Sequence, residues 1–379
     1  MNELNYYGRA AVSEFLGNNI IYRNLIPVNP EIPGLPEIWE EAGLSSIKIP
    51  RKTTPEYAAV VAFMLKYIAN QNNPRSPIER VVFIGDTHLN DGMAFQNICR
   101  AGDWFGMAFI AAERSDPFEV EMEKVNLGTI VLANRWTALK AFEEYCSQED
   151  FHVDTQTAVL LDLDKTTLGA RGRNDKVIDQ IRIEAANQTI RKLLGDEFDE
   201  QDFSTSYRCL NQPEFHPFTA DNQDYLVYIC MIIGSGLISL SELTADVKSE
   251  KMATFNQFLK FSEDNKHSLP LNLCRVHDDV FNLVNNGDPT PFKNFRQEEF
   301  RLTISRMGQL PADTPLEILL KEEIVITQEV RQVALSWREK GALLFGLSDK
   351  PDEASIPTSR MVSEGYRPIH QIETNIIGA

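Results

Sequence analysis

The sequence predicts an α/β protein with a parallel sheet, interrupted by a large, mainly helical insertion. Three observations predict it. Short apolar runs alternate with helical patterns through the first 169 residues, as strand–helix units of a parallel sheet do. Between residues 170 and 322 that alternation gives way to helical periodicity and polar loops, and over 323–379 it returns. Three of the apolar runs also end on polar clusters, Gly85-Asp86, Asp162-Leu163-Asp164 and Ser348-Asp349-Lys350. In an open α/β sheet the carboxyl ends of the strands are where ligands bind.

In chain order, residues 1–45 suit helices with a Pro-rich bend, because Pro27, Pro30 and Pro33 break 26–35 into a loop. A short helix then fits Pro36 to Ala42, closed by Gly43, and a short strand fits Ile47 to Ile49. Thr54 is placed to cap a helix with Pro55 at its first position and Ala58, Val61, Ala62 and Leu65 on one buried face. RVVFIGD, Arg80 to Asp86, is a strong strand ending on a carboxylate, followed by a helix from Asp91 to Cys99. Phe105 to Ala111 and Thr129 to Leu132 are strands, and Arg135 to Cys146 is a helix. AVLLDLDKTT, Ala158 to Thr167, is a buried strand that closes on Asp162 and Asp164. The insertion carries helical patterns near 177–194, 225–233, 249–261, 275–285 and 296–307. Thr327 to Lys340 reads as a helix stopped by Gly341, and Ala342 to Leu347 as a buried strand. A short strand is expected near Pro368 to Ile372.

Composition narrows the function. The 379 residues carry a net charge of -18, a poor basis for non-specific binding to nucleic acid or to an anionic membrane. The five cysteines, Cys99, Cys146, Cys209, Cys230 and Cys274, form no CxxC and suit free thiols in a reducing, cytoplasmic setting. The start, MNELNYYGRA, lacks the basic and apolar regions of a signal peptide. The uncharged run from Tyr225 to Ser241 is shorter than the roughly 20 residues a membrane span needs, and a buried helix is expected there.

The strand-end residue types suit phosphoryl chemistry. A carboxylate can attack phosphorus and form an aspartyl-phosphate. A second carboxylate two residues along can protonate the leaving oxygen and then activate water. Mg²⁺ prefers oxygen ligands and keeps several waters, so two or three carboxylates suffice to hold it. A hydroxyl and a lysine would hold the phosphoryl oxygens as charge shifts.

On these residues the chain resembles the haloacid dehalogenase-like (HAD) hydrolase superfamily. The family's DxDxT motif matches Asp162, Asp164 and Thr166; its strand-end Ser or Thr matches Ser348; its Lys beside a helix start matches Lys52; and its GDxxxxD motif matches Asp86 and Asp91. The resemblance implies a Rossmann-like core, with Asp162 as nucleophile and Asp164 as general acid and base. It also implies Mg²⁺ held by the Asp162 carboxylate, the Asp164 backbone carbonyl, Asp86 and Asp91. The motifs run in the order third, fourth, first, second, a circular permutation of the usual order. The ends of this chain then fall between the second-motif strand and the third-motif lysine. The resemblance covers roughly 45–170 and 325–355, and the insertion sits where the family places a helical cap. The implied organisation is core over 1–169, cap over 170–322 and core again over 323–379.

Other residues have simpler readings. Lys350 competes with Lys52 as the phosphate lysine, while Asp349 suits a turn. His88 suits an exposed loop, and Asn90 could bond a metal-bound water. Arg171 and Arg173 follow the nucleophile, where they could meet a substrate anion or stand as solvated loop charges. Lys293, Arg296 and Arg301 suit a solvated helix face paired with Glu298 and Glu299, and His277 with Asp278 and Asp279 lacks a fourth ligand for a metal site. The expected function is Mg²⁺-dependent hydrolysis of a small-molecule phosphomonoester. Phosphotransfer or a mutase reaction on the same two aspartates is the alternative, as is a non-catalytic binding protein on a HAD core.

Overall fold

The computed structural model describes residues 4–379. Its strands are β1 (Asn5–Ala10), β2 (Ile20–Ile21), β3 (Arg80–Gly85), β4 (Phe105–Ala111), β5 (Val120–Val125), β6 (Gly128–Ala133), β7 (Thr157–Asp162), β8 (Ile326–Thr327), β9 (Leu343–Leu347) and β10 (Thr374–Gly378). Seven of them form one sheet in the order β2-β9-β7-β3-β4-β6-β5, parallel throughout except for the antiparallel edge pair β5–β6. A smaller sheet, β1-β10-β8, joins the two ends of the chain, with Asn5 opposite Gly378.

The order of the large sheet follows from burial. Every residue of β7 is buried, and β3, β4 and β9 are buried except at their first residue, so these strands read as near-continuous apolar runs and occupy the centre. β5, VEMEKV, is almost wholly exposed and lies at the edge, where charge discourages pairing with another chain. Helix Pro55–Asn72 starts as the sequence predicts: the Thr54 hydroxyl accepts from the Tyr57 amide, and Pro55 stands at the first position. Its Ala58, Val61, Met64 and Leu65 pack in one core with Val81 and Phe83 of β3, Leu160 of β7 and Phe345 of β9. Each fully buried Val, Leu, Met or Phe among these contributes about 1.5–3 kcal/mol relative to exposure.

The chain divides into two compact units. One runs up to Gln180 and resumes at Thr303–Ala379; the other is Ile181–Leu302. The second is helical and has its own core of Leu226, Tyr228, Phe255, Phe258, Leu273 and Phe295. It also buries Arg296, which bonds Asp224 at 2.8 Å and Glu299 at 2.6 Å. No helix among the described residues is long and apolar enough to cross a membrane.

Several expectations change. The first residues form β1 rather than a helix, because Asn5–Ala10 alternates exposed and covered side chains along the edge of the small sheet. Ile47 to Ile49 is not a strand: Ile47 is exposed and Pro50, which cannot donate to a ladder, follows at once. The C-terminal strand begins at Thr374, after a 3₁₀ turn at Ile369–Gln371, so that Ile376 and Ile377 meet β8. The helix expected at 249–261 begins only at Phe255 and runs to Asp264; before it, Leu240–Lys248 is a separate helix, and Glu250 between them is left-handed (φ +61°). The helical unit is shorter than 170–322, since Leu316–Glu322 and β8 pack with the core unit, where Leu319 and Val325 meet Ile377. Arg296 is buried rather than solvated; Arg301 does pair with Glu298, at 3.5 Å, and Lys293 pairs with Asp288 at 2.8 Å. His277 is buried between the Tyr228 hydroxyl and Glu263, each at 2.6 Å.

Candidate active site at the sheet edge

Register brings the strand-end residues together. β7 lies between β3 and β9, with Ile84 opposite Leu161 and Leu347 opposite Asp162. Asp86 and Ser348 therefore follow directly on the strands either side of Asp162. All three are buried.

Lys52 arrives from the loop before helix Pro55–Asn72. Its ammonium donates to Asp162 Oδ1 at 2.6 Å and to Asp91 Oδ1 at 2.7 Å, and all three side chains are nearly solvent-free. Asp91 sits in the single π turn His88–Gly92 that opens the helix after β3. Its other oxygen accepts the backbone amides of Asp86 and Thr87, each at 2.9 Å, and the Thr87 hydroxyl at 3.1 Å. Gly85 makes room for this: a Cβ there would stand 2.6 Å from the Asp91 carboxylate. Asp91 is thus held on both oxygens and aims Lys52 at Asp162. Asp86 accepts from Arg171 Nε.

Carboxylate oxygens of Asp86, Asp91 and Asp162 all lie within 4.8 Å of one another. Burial pushes the Asp162 carboxyl well above its ordinary range, Lys52 pulls it back, and Asp91 and Asp86 push it up again. Burial, and then the charge of Asp91, raise Asp86 to about 7 despite Arg171. Burial also works against ionising Asp91, but Lys52 and the amides of Thr87 and Asp86 hold it below the ordinary value. Lys52 stays protonated: burial disfavours its charge, and Asp162 and Asp91 outweigh burial.

The turn after β7 is tightly tied. Lys165 adopts a left-handed conformation (φ +66°) and its ammonium bonds both oxygens of Asp179 at 2.8 Å. The Asp162 carbonyl accepts the Thr167 amide at 3.2 Å and its hydroxyl at 2.8 Å. The Thr166 carbonyl accepts the Thr327 hydroxyl at 2.5 Å, and the Thr167 carbonyl the Thr327 amide at 2.9 Å. Asp164, on this turn, is partly exposed, with Lys350 Nζ 3.9 Å from its Oδ1. The Ser348 hydroxyl accepts the Lys350 amide at 3.1 Å. The two candidate lysines thus differ in place: Lys52 serves Asp162, and Lys350 lies beside Asp164.

The remaining candidates separate. Arg173 is a clamp, bonding Glu113 at 2.7 Å and Glu329 at 2.9 Å from a buried position. His88 is exposed and bonds Glu123 at 2.8 Å, Asn90 is exposed, and Asp349 pairs with Arg23 at 3.0 Å. The structure adds Tyr57. Its hydroxyl is buried with no hydrogen-bond partner among the described residues, and the charges of Lys52, Asp349, Asp162 and Asp91 act on it. In sequence Tyr57 looks like any apolar-face residue of its helix.

The donor set fits Mg²⁺. It is all oxygen, and its three carboxylates face two cations, Lys52 and Arg171. Asp162 Oδ2 is buried with no hydrogen-bond partner among the described residues, an arrangement that costs several kcal/mol unless a cation or donor meets it. Asp91 contributes charge, but its oxygens are already engaged, which leaves Asp162 and Asp86 as the side chains suited to ligate.

Comparison with protein-family models, with curated proteins and with solved structures gives no match.

Proposed function

We propose that the protein is a Mg²⁺-dependent phosphatase of the HAD type, hydrolysing a small-molecule phosphomonoester through an aspartyl-phosphate at Asp162. The observation that carries this reading is the pair of contacts from Lys52 to Asp162 and Asp91. They hold a buried carboxylate at the sheet edge with one oxygen uncommitted. The adjacency of β9, β7 and β3 supports the motif assignment, since it puts Ser348, Asp162 and Asp86 at one edge.

In the first half-reaction an Asp162 oxygen attacks phosphorus and the bond from phosphorus to the ester oxygen breaks. Asp164, partly exposed at the turn, gives its proton to the departing oxygen. Lys52 fixes the Asp162 carboxylate and balances charge near the transferred group, and the Ser348 hydroxyl, beside Asp162, suits a phosphoryl oxygen. In the second half-reaction Asp164 takes a proton from water, the water oxygen attacks phosphorus and the acyl-phosphate bond breaks. Asp162 is restored and inorganic phosphate leaves. Asp162 and Asp86, with the Asp164 carbonyl, would hold Mg²⁺, which supplies positive charge against the carboxylates and phosphoryl oxygens.

The test is hydrolysis of p-nitrophenyl phosphate with Mg²⁺. Wild type turns over, and Asp162→Asn loses activity on the order of 10⁴-fold or more. Equal hydrolysis by the two proteins, or none by wild type, rejects the reading.

A further inference from the structure

We propose that Arg171 and a divalent cation compete for Asp86, and that the displaced guanidinium takes up a second anionic group on the substrate. This rests on the phosphatase reading and narrows its substrate to phosphomonoesters bearing another carboxylate or phosphate.

Lys52 serves Asp162 and Asp91 but not Asp86. The counter-ion of Asp86 is Arg171, whose Nε donates to Asp86 Oδ2. A guanidinium carries only donors, and a divalent cation needs the same lone pairs and repels the same charge. Each therefore weakens the other's hold on the Asp86 carboxylate.

The backbone of Arg171 is fixed. Its amide donates to the Lys165 carbonyl at 2.7 Å, and its carbonyl accepts the Glu113 amide at 2.9 Å and Trp136 Nε1 at 3.1 Å. Next to it, a Cβ on Gly172 (φ +79°) would stand 1.9 Å from the Glu113 carbonyl oxygen, and Arg173 is clamped beyond. The loop cannot carry the guanidinium away, so exchange must be rotation of the side chain. That side chain is a third exposed, whereas the Asp86 carboxylate is nearly buried. Rotation moves it toward solvent.

The neighbouring acids that act on Arg171, Asp175 and Asp179, have other work. Asp175 accepts the Gly172 amide at 2.9 Å, and Asp179 takes both bonds from Lys165. A released guanidinium therefore presents its planar fork to an incoming anion, the geometry that carboxylate and phosphate match.

The test is calorimetric titration of Mg²⁺ into wild type, Arg171→Ala and Arg171→Lys, followed by methylphosphonate and phosphonoacetate titrations of the Mg²⁺-loaded proteins. Arg171→Ala is expected to bind Mg²⁺ about fivefold more tightly or better, and Arg171→Lys close to wild type. Loaded wild type should prefer phosphonoacetate by about tenfold, and Arg171→Ala should lose that preference. In wild type, the Arg171 Nε–H resonance should move as Mg²⁺ is added, a readout that needs no variant to fold. Unchanged or weaker Mg²⁺ binding by Arg171→Ala, or a static resonance, overturns the exchange while leaving the phosphatase reading intact. Equal affinity of wild type for the two phosphonates overturns the substrate half. No Mg²⁺ binding by any of the proteins removes the inference and the underlying reading together.

Discussion

The core unit and the helical unit each bury a set of charged side chains, one around Lys52 and one around Arg296. In the helical unit Arg296 and Arg182 meet Asp224 and Glu299, two cations against two anions, and Arg296 alone makes bonds of 2.5–2.8 Å to both acids. In the core unit Lys52 and Arg171 face Asp86, Asp91 and Asp162, and one oxygen of Asp162 has no hydrogen-bond partner among the described residues. A balanced buried set of charges is satisfied within the fold. A set with surplus negative charge waits for a cation. The difference separates a structural lock from a candidate site without recourse to sequence motifs.

The largest effects on stability test that separation. Lys52→Met leaves Asp162 and Asp91 without their cation and should destabilise by about 3–5 kcal/mol. Arg296→Met should cost about the same, for the same reason. Thermal melting with and without Mg²⁺ distinguishes them: added Mg²⁺ should recover part of the Lys52→Met loss and none of the Arg296→Met loss. Recovery of both, or of neither, would erase the contrast.

A mid-sized effect belongs to the core unit alone. Burial depresses His370 to about 4, and its ring stands 3.3 Å from the Tyr22 hydroxyl. In the unfolded chain histidine protonates near 6.5, so between those values the unfolded state holds more protons. Stability should therefore fall as pH drops from about 6.5 to 4, by up to about 3 kcal/mol. His370→Gln should flatten that slope, and a slope unchanged by the substitution would assign acid sensitivity elsewhere.

The smallest effect concerns Thr166, whose hydroxyl is buried with no hydrogen-bond partner among the described residues. Thr166→Val leaves no partner stranded, so stability should change by less than about 1 kcal/mol. If that hydroxyl serves the reaction, kcat/KM falls while the melting temperature holds. A lower melting temperature with unchanged kcat/KM would make Thr166 a packing residue.

How far the sequence could be read follows from the same physics. β3, β4, β7 and β9 are legible because strands buried on both faces are apolar runs. β5 is not, because an exposed edge strand such as VEMEKV carries the composition of a loop. β2 has only two residues, and β1 and β10 depend on pairing between the chain's two ends, which no local pattern records. In the site, Asp162, Asp164, Asp86 and Ser348 stand out as polar residues where apolar runs end. The engagement of Asp91 with Lys52 and of Asp86 with Arg171 spans 39 and 85 residues of sequence, and only the sheet order brings each pair together. Arg173 looks like Arg171 in sequence, yet Glu113 and Glu329 make it a clamp.

The central claim is a covalent phosphoenzyme at Asp162, and borohydride trapping addresses it most directly. The Mg²⁺-loaded protein is mixed with p-nitrophenyl phosphate, quenched with borohydride, which reduces an acyl phosphate to an alcohol, and mapped by peptide mass spectrometry. Homoserine at position 162, dependent on substrate and absent from unreacted protein, is the predicted result. Steady turnover with aspartate intact at 162, or homoserine at another position, would contradict the account.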